Sequence, residues 1–458
     1  MVAELPRLLI GGVGSGCGKT TVTSAVLQAF CNRNFIPAAF KCGPDYIDPM
    51  FHTRVIGAAC RNLDLFLCDE STVRSLLAHN SQNAPLALIE GVMGFYDGVG
   101  GNSDWASAAD LANKTDTPAV LVLSVKGKSL SLAAELQGFL SFRENTIAGV
   151  ILNGVSKAMY PFYRDIIEEH TGLHVYGHLP TEKRAAIESR HLGLVTADEI
   201  SDLQERLDTL AALAEECIDL DGLIRLAHTA PPLYYEALLR EPACTAPVRI
   251  AVAQDSAFCF YYQDSLELLE ELGAELAPFS PLKDRALPAG VSGLYIGGGY
   301  PELYAGRLSE NDSIRADLRR QITNGLPTLA ECGGFMYLHE ALDDASGCAF
   351  PMVGVIKGVA RLQKRLQNFG YVTLTAMQDN LLCRAGDQIR AHEFHYSVSD
   401  DNGCAFVAQK PMRAKSWPCI HASASMCAGY PHFHFYANPE FAASFIRRCD
   451  AYRKERTT

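Results

Sequence analysis

A glycine-rich turn between an apolar strand and a helical run constrains this chain more than any other feature. Gly11-Gly12-Val13-Gly14-Ser15-Gly16-Cys17-Gly18-Lys19-Thr20-Thr21 closes the apolar segment Arg7–Val13 and opens the helical run Val22–Phe30. In that context glycines let backbone N–H groups face phosphate oxygens, and the helix N-terminus adds partial positive charge. The expected nucleotide site uses Gly14, Ser15, Gly16, Gly18 and Thr21 as cradle. Lys19 reaches the outer phosphates and Thr20 holds Mg²⁺. One departure stands out: Val13 occupies the usual place of the first glycine, and the nearest glycine is Gly12.

Around this loop, short apolar runs alternate with helical stretches. Arg7–Val13, Ala38–Cys42, Leu86–Gly91, Ala119–Val125 and Gly149–Asn153 are rich in Leu, Ile and Val and bounded by Gly, Pro or polar residues. That pattern predicts a parallel sheet buried on both faces. Leu203–Leu226 is expected to be helical, with Leu and Ala at helical spacing. The proline-rich segment Thr229–Pro247 then reads as a linker. A second alternating unit starts at Val248–Ala253 and continues through strands near Gly293–Ile296 and Thr328–Ala330. The fold class is therefore α/β, with two doubly wound domains in series: residues 1–228, a linker 229–247, and residues 248–458.

Two acidic clusters close strands of the first domain. They are Lys41-Cys42-Gly43-Pro44-Asp45-Tyr46-Ile47-Asp48-Pro49 and Glu90-Gly91-Val92-Met93-Gly94-Phe95-Tyr96-Asp97-Gly98. Ligands of doubly wound sheets bind beyond the carboxyl ends of the strands, so both clusters should flank the phosphate loop. Asp45 and Glu90 are candidate Mg²⁺ ligands. For Asp48 and Asp97, substrate contact, turn capping and support of a neighbouring ligand all stay open. Lys41 either neutralises an anionic substrate or is a solvated strand-end lysine.

In the second domain, Gly325–Leu338 reads as strand, sharp turn and helix, with Cys332 at the turn before Gly333-Gly334. Small residues there permit the strained elbow that exposes a nucleophile, and a helix N-terminus is expected to lower the thiol pKa. Upstream, Tyr295-Ile296-Gly297-Gly298-Gly299-Tyr300-Pro301-Glu302 offers backbone N–H donors to an oxyanion. Gly298, Gly299 and Gly333 are the candidate oxyanion residues. Downstream, Gly429-Tyr430-Pro431-His432-Phe433-His434 supplies a base, His432 or alternatively His434.

Composition sets the outer bounds. Hydrophobic residues make 48% and charged residues 20% of the chain, as in ordinary globular proteins, and the net charge of −12 disfavours nucleic-acid or anionic-membrane partners. The 15 cysteines, without a C-x-x-C pair or a leading secretory signal, read as reduced thiols of a cytoplasmic protein. No apolar run reaches membrane-span length. The partners expected are small molecules.

The spacing of the phosphate loop resembles the ligase branch of P-loop proteins that includes dethiobiotin synthetase. With both halves assembled, the whole chain resembles the cobyrinate a,c-diamide synthase family. The marks are the shifted loop, the two acidic clusters, Gly297–Glu302, Glu331-Cys332-Gly333-Gly334-Phe335-Met336-Tyr337-Leu338 and His392-Glu393-Phe394-His395-Tyr396-Ser397. The resemblance implies an ATP-dependent synthetase domain, a class I glutaminase domain, and amidation of two acetate side chains of a cobalt corrinoid in cobalamin synthesis. It implies Lys19 and Thr20 for ATP-Mg²⁺, Asp45 with Glu90 as metal ligands, and Asn153 near the adenine.

Class I glutaminases place Glu two residues after the catalytic His, whereas His434 stands there in this chain. The third member is therefore missing or comes from elsewhere. The role of His392-Glu393-His395 is left open, and a zinc site there is not expected. The expected chemistry is attack of Cys332 on the glutamine amide, ATP-dependent formation of an acyl phosphate, and displacement of phosphate by ammonia. Rival acceptors are hydrogenobyrinate, nickel-sirohydrochlorin, or the side chains amidated by cobyric acid synthase. A rival of another class is a P-loop partner-switching ATPase.

Overall fold

The structure is a computed structural model that describes residues 1–185, 197–238, 240–344 and 346–457. It divides into two compact units, Met1–Leu238 and Leu239–Thr458.

The first unit is built on a seven-stranded sheet in the order Cys60–Leu63, Ala38–Cys42, Ala87–Glu90, Arg7–Gly12, Ala119–Ser124, Ile147–Asn153, His174–Leu179. Every pairing in it is parallel. Leu8, Leu9 and Ile10 of the central strand are buried, as are Val120, Leu121 and Val122 beside it, as continuous apolar runs require when helices cover both faces. Helix Lys19–Asn32 packs Val22, Val26 and Phe30 into a core shared with Leu207, Leu210 and Ala214 of helix Ala197–Cys217. Strand Arg7–Gly12 lies between Ala87–Glu90 and Ala119–Ser124. This brings the carboxyl ends of Arg7–Gly12, Ala38–Cys42 and Ala87–Glu90 together at one edge.

Two expectations change here. The helical stretch over Leu203–Leu226 is two helices, Ala197–Cys217 and Leu220–Ala227. Asp219 breaks it, because its carboxylate accepts the Gly222 N–H at 2.8 Å and caps the second helix. The Thr229–Pro247 segment is also more than a linker. Leu233–Tyr234 pairs antiparallel with Val2–Ala3, and Leu233 is buried, so the chain is still part of the first unit there.

The second unit carries a six-stranded sheet in the order Ala274–Phe279, Val248–Ala253, Gly293–Ile296, Thr328–Glu331, Met426–Gly429, His421–Ala422. It is parallel except at the last pair. Beyond the expected alternation lies a second, seven-stranded sheet, largely antiparallel, dominated by Ile356–Ala376 and Gln388–Ser399. Strand His432–Phe433 joins it, with His392 opposite His432. Within Gln388–Ser399, Glu393, His395 and Ser397 face inward while Phe394 and Tyr396 are exposed, the period of two expected of a strand with one covered face. Among the described residues no helix is long and apolar enough to cross a membrane.

Candidate functional site

In the first unit the chain must turn sharply from strand Arg7–Gly12 into helix Lys19–Asn32. Gly18 makes that turn at φ 102°. A Cβ there would lie 1.9 Å from Nδ2 of Asn153, so only glycine fits. Asn153 in turn donates Nδ2–H to the Cys17 carbonyl at 3.0 Å, which ties the end of its strand to the loop. The shifted glycine also has a physical reason. A Cβ on Gly12 would meet Cys17 Sγ at 2.4 Å and Lys19 Cγ at 2.8 Å. Gly16 takes φ 76° at the exposed tip beside Ser15. Lys19 is buried and donates Nζ to the Gly14 carbonyl at 3.0 Å. Burial, and then Lys41 nearby, lower its pKa despite Cys17, Glu90 and Asp97.

Beside the loop, Glu90 is the hub of a buried polar cluster. Its Oε1 accepts from Thr20 Oγ1 at 2.7 Å and from Lys41 Nζ at 2.7 Å, and its Oε2 meets His52 Nε2 at 2.9 Å. Lys41 also donates to Asp48 Oδ2 at 2.5 Å. Burial alone would raise the Glu90 carboxyl, but Lys41 and His52 outweigh it and hold it below the usual range. Burial likewise opposes charge on Lys41, yet Glu90 and Asp48 hold its ammonium well above its ordinary value. Asp48 is raised, by burial and then by the nearby Glu90 charge. The solvated reading of Lys41 is thus excluded, since it is 4% exposed.

Asp45 Oδ1 accepts the Ile47 N–H at 2.8 Å, and Asp97 Oδ2 accepts the Gly94 N–H at 2.9 Å. Both therefore cap turns at the strand ends. Thr21 lies on the first turn of the loop helix. His52 was not foreseen. It lies on a short helical segment, His52–Ile56, three residues beyond the acidic cluster that ends at Pro49, and that closeness is its one signal.

In the second unit Cys332 stands between strand Thr328–Glu331 and helix Gly333–Leu338 at φ 46°, ψ −101°. This is a conformation that side chains rarely tolerate. Gly333 and Gly334 are required by close approach: Cβ atoms there would lie 2.9 Å from Pro301 Cδ and 2.2 Å from the Ile296 carbonyl. The Cys332 N–H donates to the Gly429 carbonyl at 2.8 Å, and Sγ faces the Phe394 carbonyl at 3.8 Å. The glycine turn lies against this elbow, with the Gly334 N–H donating to the Gly297 carbonyl at 3.0 Å. Gly299 N comes within 3.0 Å of the Cβ position of Gly333. The Gly333 N–H is directed at the Cys332 sulfur. One expectation fails: the thiol pKa is raised, not lowered. Burial is the main cause, with Glu302 second, and the N–H of Gly333 only partly offsets them. A six-residue helix does not counter the loss of solvent.

The two candidate bases separate. His432 packs on the glycine turn, its Cε1 2.4 Å from where a Gly298 Cβ would be. Its Nδ1 faces Glu331 Oε2 at 3.7 Å. His434 is buried elsewhere, with its ring 4.8 Å from that of Tyr262, and burial lowers its pKa to about 4. In the other histidine motif, His395 stacks on Tyr430 at 3.7 Å and its Nε2 meets Glu393 Oε2 at 3.3 Å. Burial, then His432 and Lys410, lower His392 to about 3. Among the described residues no group of three His, Cys, Asp or Glu is arranged to hold a metal ion.

Comparison with known proteins fits this geometry. Residues 8–195 match the CobQ/CobB/MinD/ParA nucleotide binding domain, and residues 249–440 match the CobB/CobQ-like glutamine amidotransferase domain. The class is therefore a nucleotide-binding domain joined to a glutamine amidotransferase, a carbon–nitrogen ligase with glutamine as amido donor. A partner-switching ATPase would leave the second domain without a role. A cobyrinate a,c-diamide synthase of Clostridium acetobutylicum is 41% identical over 96% of this chain and 99% of its own length. Those of Dehalococcoides mccartyi and Thermoplasma volcanium are 39% and 38% identical, over 97% and 99% of this chain and 98% and 99% of their own lengths. The chain belongs to the cobyrinate a,c-diamide synthase family.

Proposed function

We propose that this chain uses ATP and glutamine to convert the a and c acetate carboxylates of cobyrinate into carboxamides. The observation that carries the reading is the coexistence, in one chain, of a phosphate loop joined to Glu90 through Thr20 and a cysteine elbow packed on a glycine turn beside His432. End-to-end similarity to relatives of that name supports the choice of acceptor.

In the second unit, Cys332 gives its proton to His432 and attacks the side-chain carbonyl carbon of glutamine. The oxyanion is met by backbone N–H groups of Gly298, Gly299 and Gly333. His432 returns the proton to the leaving nitrogen, ammonia departs, and water then releases glutamate from the thioester. Because burial raises the Cys332 thiol, proton transfer accompanies attack in this mechanism.

In the first unit a substrate carboxylate attacks the γ-phosphorus of ATP, and ammonia then displaces phosphate from the resulting acyl phosphate. Activation is needed because a carboxylate is a poor electrophile. Lys19 offsets charge on the moving phosphoryl group, while Gly14, Ser15, Gly16, Gly18 and Thr21 orient the phosphates. Asn153, beside the loop at Cys17, is assigned to the adenine side, and Lys41, Asp48 and Asp97 are assigned to the acceptor side. Thr20, Asp45 and Glu90 would hold Mg²⁺ through oxygen; Thr20 and Glu90 meet at 2.7 Å, and Asp45 acts on the Lys41–Asp48 pair beside them. A carboxylate offers about four lone-pair sites, and Thr20, Lys41 and His52 engage three on Glu90, so the donor set fits. Mg²⁺ bound there would neutralise phosphate charge.

The test is incubation of the full chain with ATP, glutamine and each of cobyrinate, hydrogenobyrinate, nickel-sirohydrochlorin and cobyrinate a,c-diamide, with products followed by mass. Two successive conversions of cobyrinate are expected. Turnover confined to another acid overturns the acceptor. ATP hydrolysis indifferent to every acid overturns the ligase mechanism.

A further inference from the structure

The usual carboxylate partner of a class I catalytic histidine is absent, because position 434 is a histidine packed on Tyr262. A different carboxylate occupies its physical place. Glu331 ends the central strand Thr328–Glu331, one residue before the nucleophile, and is 2% exposed. A carboxylate at the end of a buried strand needs partners to repay its lost hydration. Glu331 has three. Oε1 accepts the Phe433 N–H at 2.9 Å; Oε2 accepts the Tyr295 hydroxyl at 2.9 Å and faces His432 Nδ1 at 3.7 Å. The two donors hold the carboxylate, and one of them is the backbone of the residue next to His432. Other acidic residues near the elbow have different surroundings: Glu393 meets His395, and Glu302, in the short helix that starts at Pro301, acts on the Cys332 thiol.

We infer that Glu331 is the positioning carboxylate of His432, so that nucleophile and orienting acid are consecutive residues, Glu331-Cys332. This rests on the assignment of Cys332 and His432 made above. The carboxylate fixes the imidazole with Nδ1–H toward Glu331 and Nε2 toward the glycine turn, where Gly298 leaves it room. It also stabilises the imidazolium formed when the thiol proton is taken up. The Tyr295 hydroxyl and the Phe433 N–H hold Glu331 itself in place.

The experiment measures glutaminase kcat and KM, and amidation with ammonium salt, for Glu331→Gln, His432→Ala, their combination and Cys332→Ala. Glu331→Gln should lower glutaminase kcat about 10²–10⁴-fold with KM within a few-fold, while ammonia-dependent amidation stays near that of the parent. In the His432→Ala background the same change should add little. An unchanged glutaminase kcat, a loss confined to KM, or equal losses with both nitrogen sources would each overturn the inference. Should Glu331→Gln fail to fold, Tyr295→Phe replaces it. A selective fall in glutaminase kcat then supports the inference, and an unchanged kcat overturns it. Retained glutaminase in Cys332→Ala would instead refute the nucleophile assignment underneath.

Discussion

Lys41 and Glu90 meet at 2.7 Å with side chains 5% and 0% exposed. The ion pair sits at the junction of the strands that carry the phosphate loop and both acidic turns. Breaking it from one side leaves charge with no solvent to receive it. Lys41→Met should destabilise the first unit by about 3–5 kcal/mol, the range for removing one partner of a buried pair. Urea unfolding of the full chain, followed by a probe in the first unit, checks this. A shift within the error of a surface substitution would show that the cluster relaxes without cost.

Lys19→Ala should abolish amidation from glutamine and from ammonia alike, because in the proposed mechanism both draw on the same acyl phosphate. Glutaminase activity should persist at a low level. Product formation by mass and glutamate release, measured on the same sample, separate the two. Full amidation by this variant would be incompatible with the phosphate-loop assignment.

Cys332→Ala removes one sulfur from the second unit. Amidation with glutamine should vanish, while amidation with concentrated ammonium salt should survive and rise with pH as free NH₃ increases. A buried structural thiol would instead give a small stability loss with both nitrogen sources affected equally.

The thiol of Cys332 is raised above the ordinary range, by burial first and Glu302 second. At neutral pH its thiolate fraction is therefore small. Iodoacetamide should modify it more slowly than the exposed Cys348. Its rate should still climb about tenfold per pH unit near pH 9, where an ordinary thiol of pKa about 8.5 is levelling off. Site-resolved mass spectrometry of alkylated peptides gives both rates. Fastest labelling at Cys332 near pH 7 would contradict the direction of the shift.

His432→Ala and His434→Ala should differ in kind. The first should cost glutaminase kcat beyond any loss of stability, since its ring is also buried. The second removes a buried, neutral ring packed on Tyr262 and should cost roughly 1–3 kcal/mol of stability while the folded fraction keeps its kcat. Kinetics and thermal unfolding on the same pair decide. Loss of kcat with His434→Ala alone would reverse the assignment.

Where backbone geometry limits the residue type, the sequence was readable. Gly18 and Gly334 have no room for a Cβ, and such positions announce the phosphate loop and the elbow without reference to the rest of the chain. The strand-end rule likewise brought Lys41 and Glu90 to the loop. Contacts made across distant segments were not readable. His52 reaches Glu90 from a segment 38 residues away, and beyond its closeness to the acidic cluster nothing in its local sequence distinguishes it. Glu331 was hidden in plain view as the residue before the cysteine, although an acid closing Leu329-Ala330 could have prompted the question of its partner. The antiparallel sheet escaped because Lys357, Arg361, Lys364 and Arg365 interrupt the apolar pattern of Ile356–Ala376. The sign of the thiol shift is not legible in the sequence, because burial cannot be read from the few residues around an elbow.

The backbone of Cys332, at φ 46° and ψ −101°, is one that glycine would adopt freely. Holding a side-chain residue there costs on the order of 1–3 kcal/mol. Selection for folding alone would therefore favour glycine at this position and discard the sulfur. The proposed role of the sulfur in turnover supplies the reason for a cysteine there. For the same reason Cys332→Gly, rather than Cys332→Ala, is the variant best suited to trapping intact glutamine: it removes the proposed nucleophile and relaxes the turn in a single change, where alanine would keep the strain and lose only the sulfur.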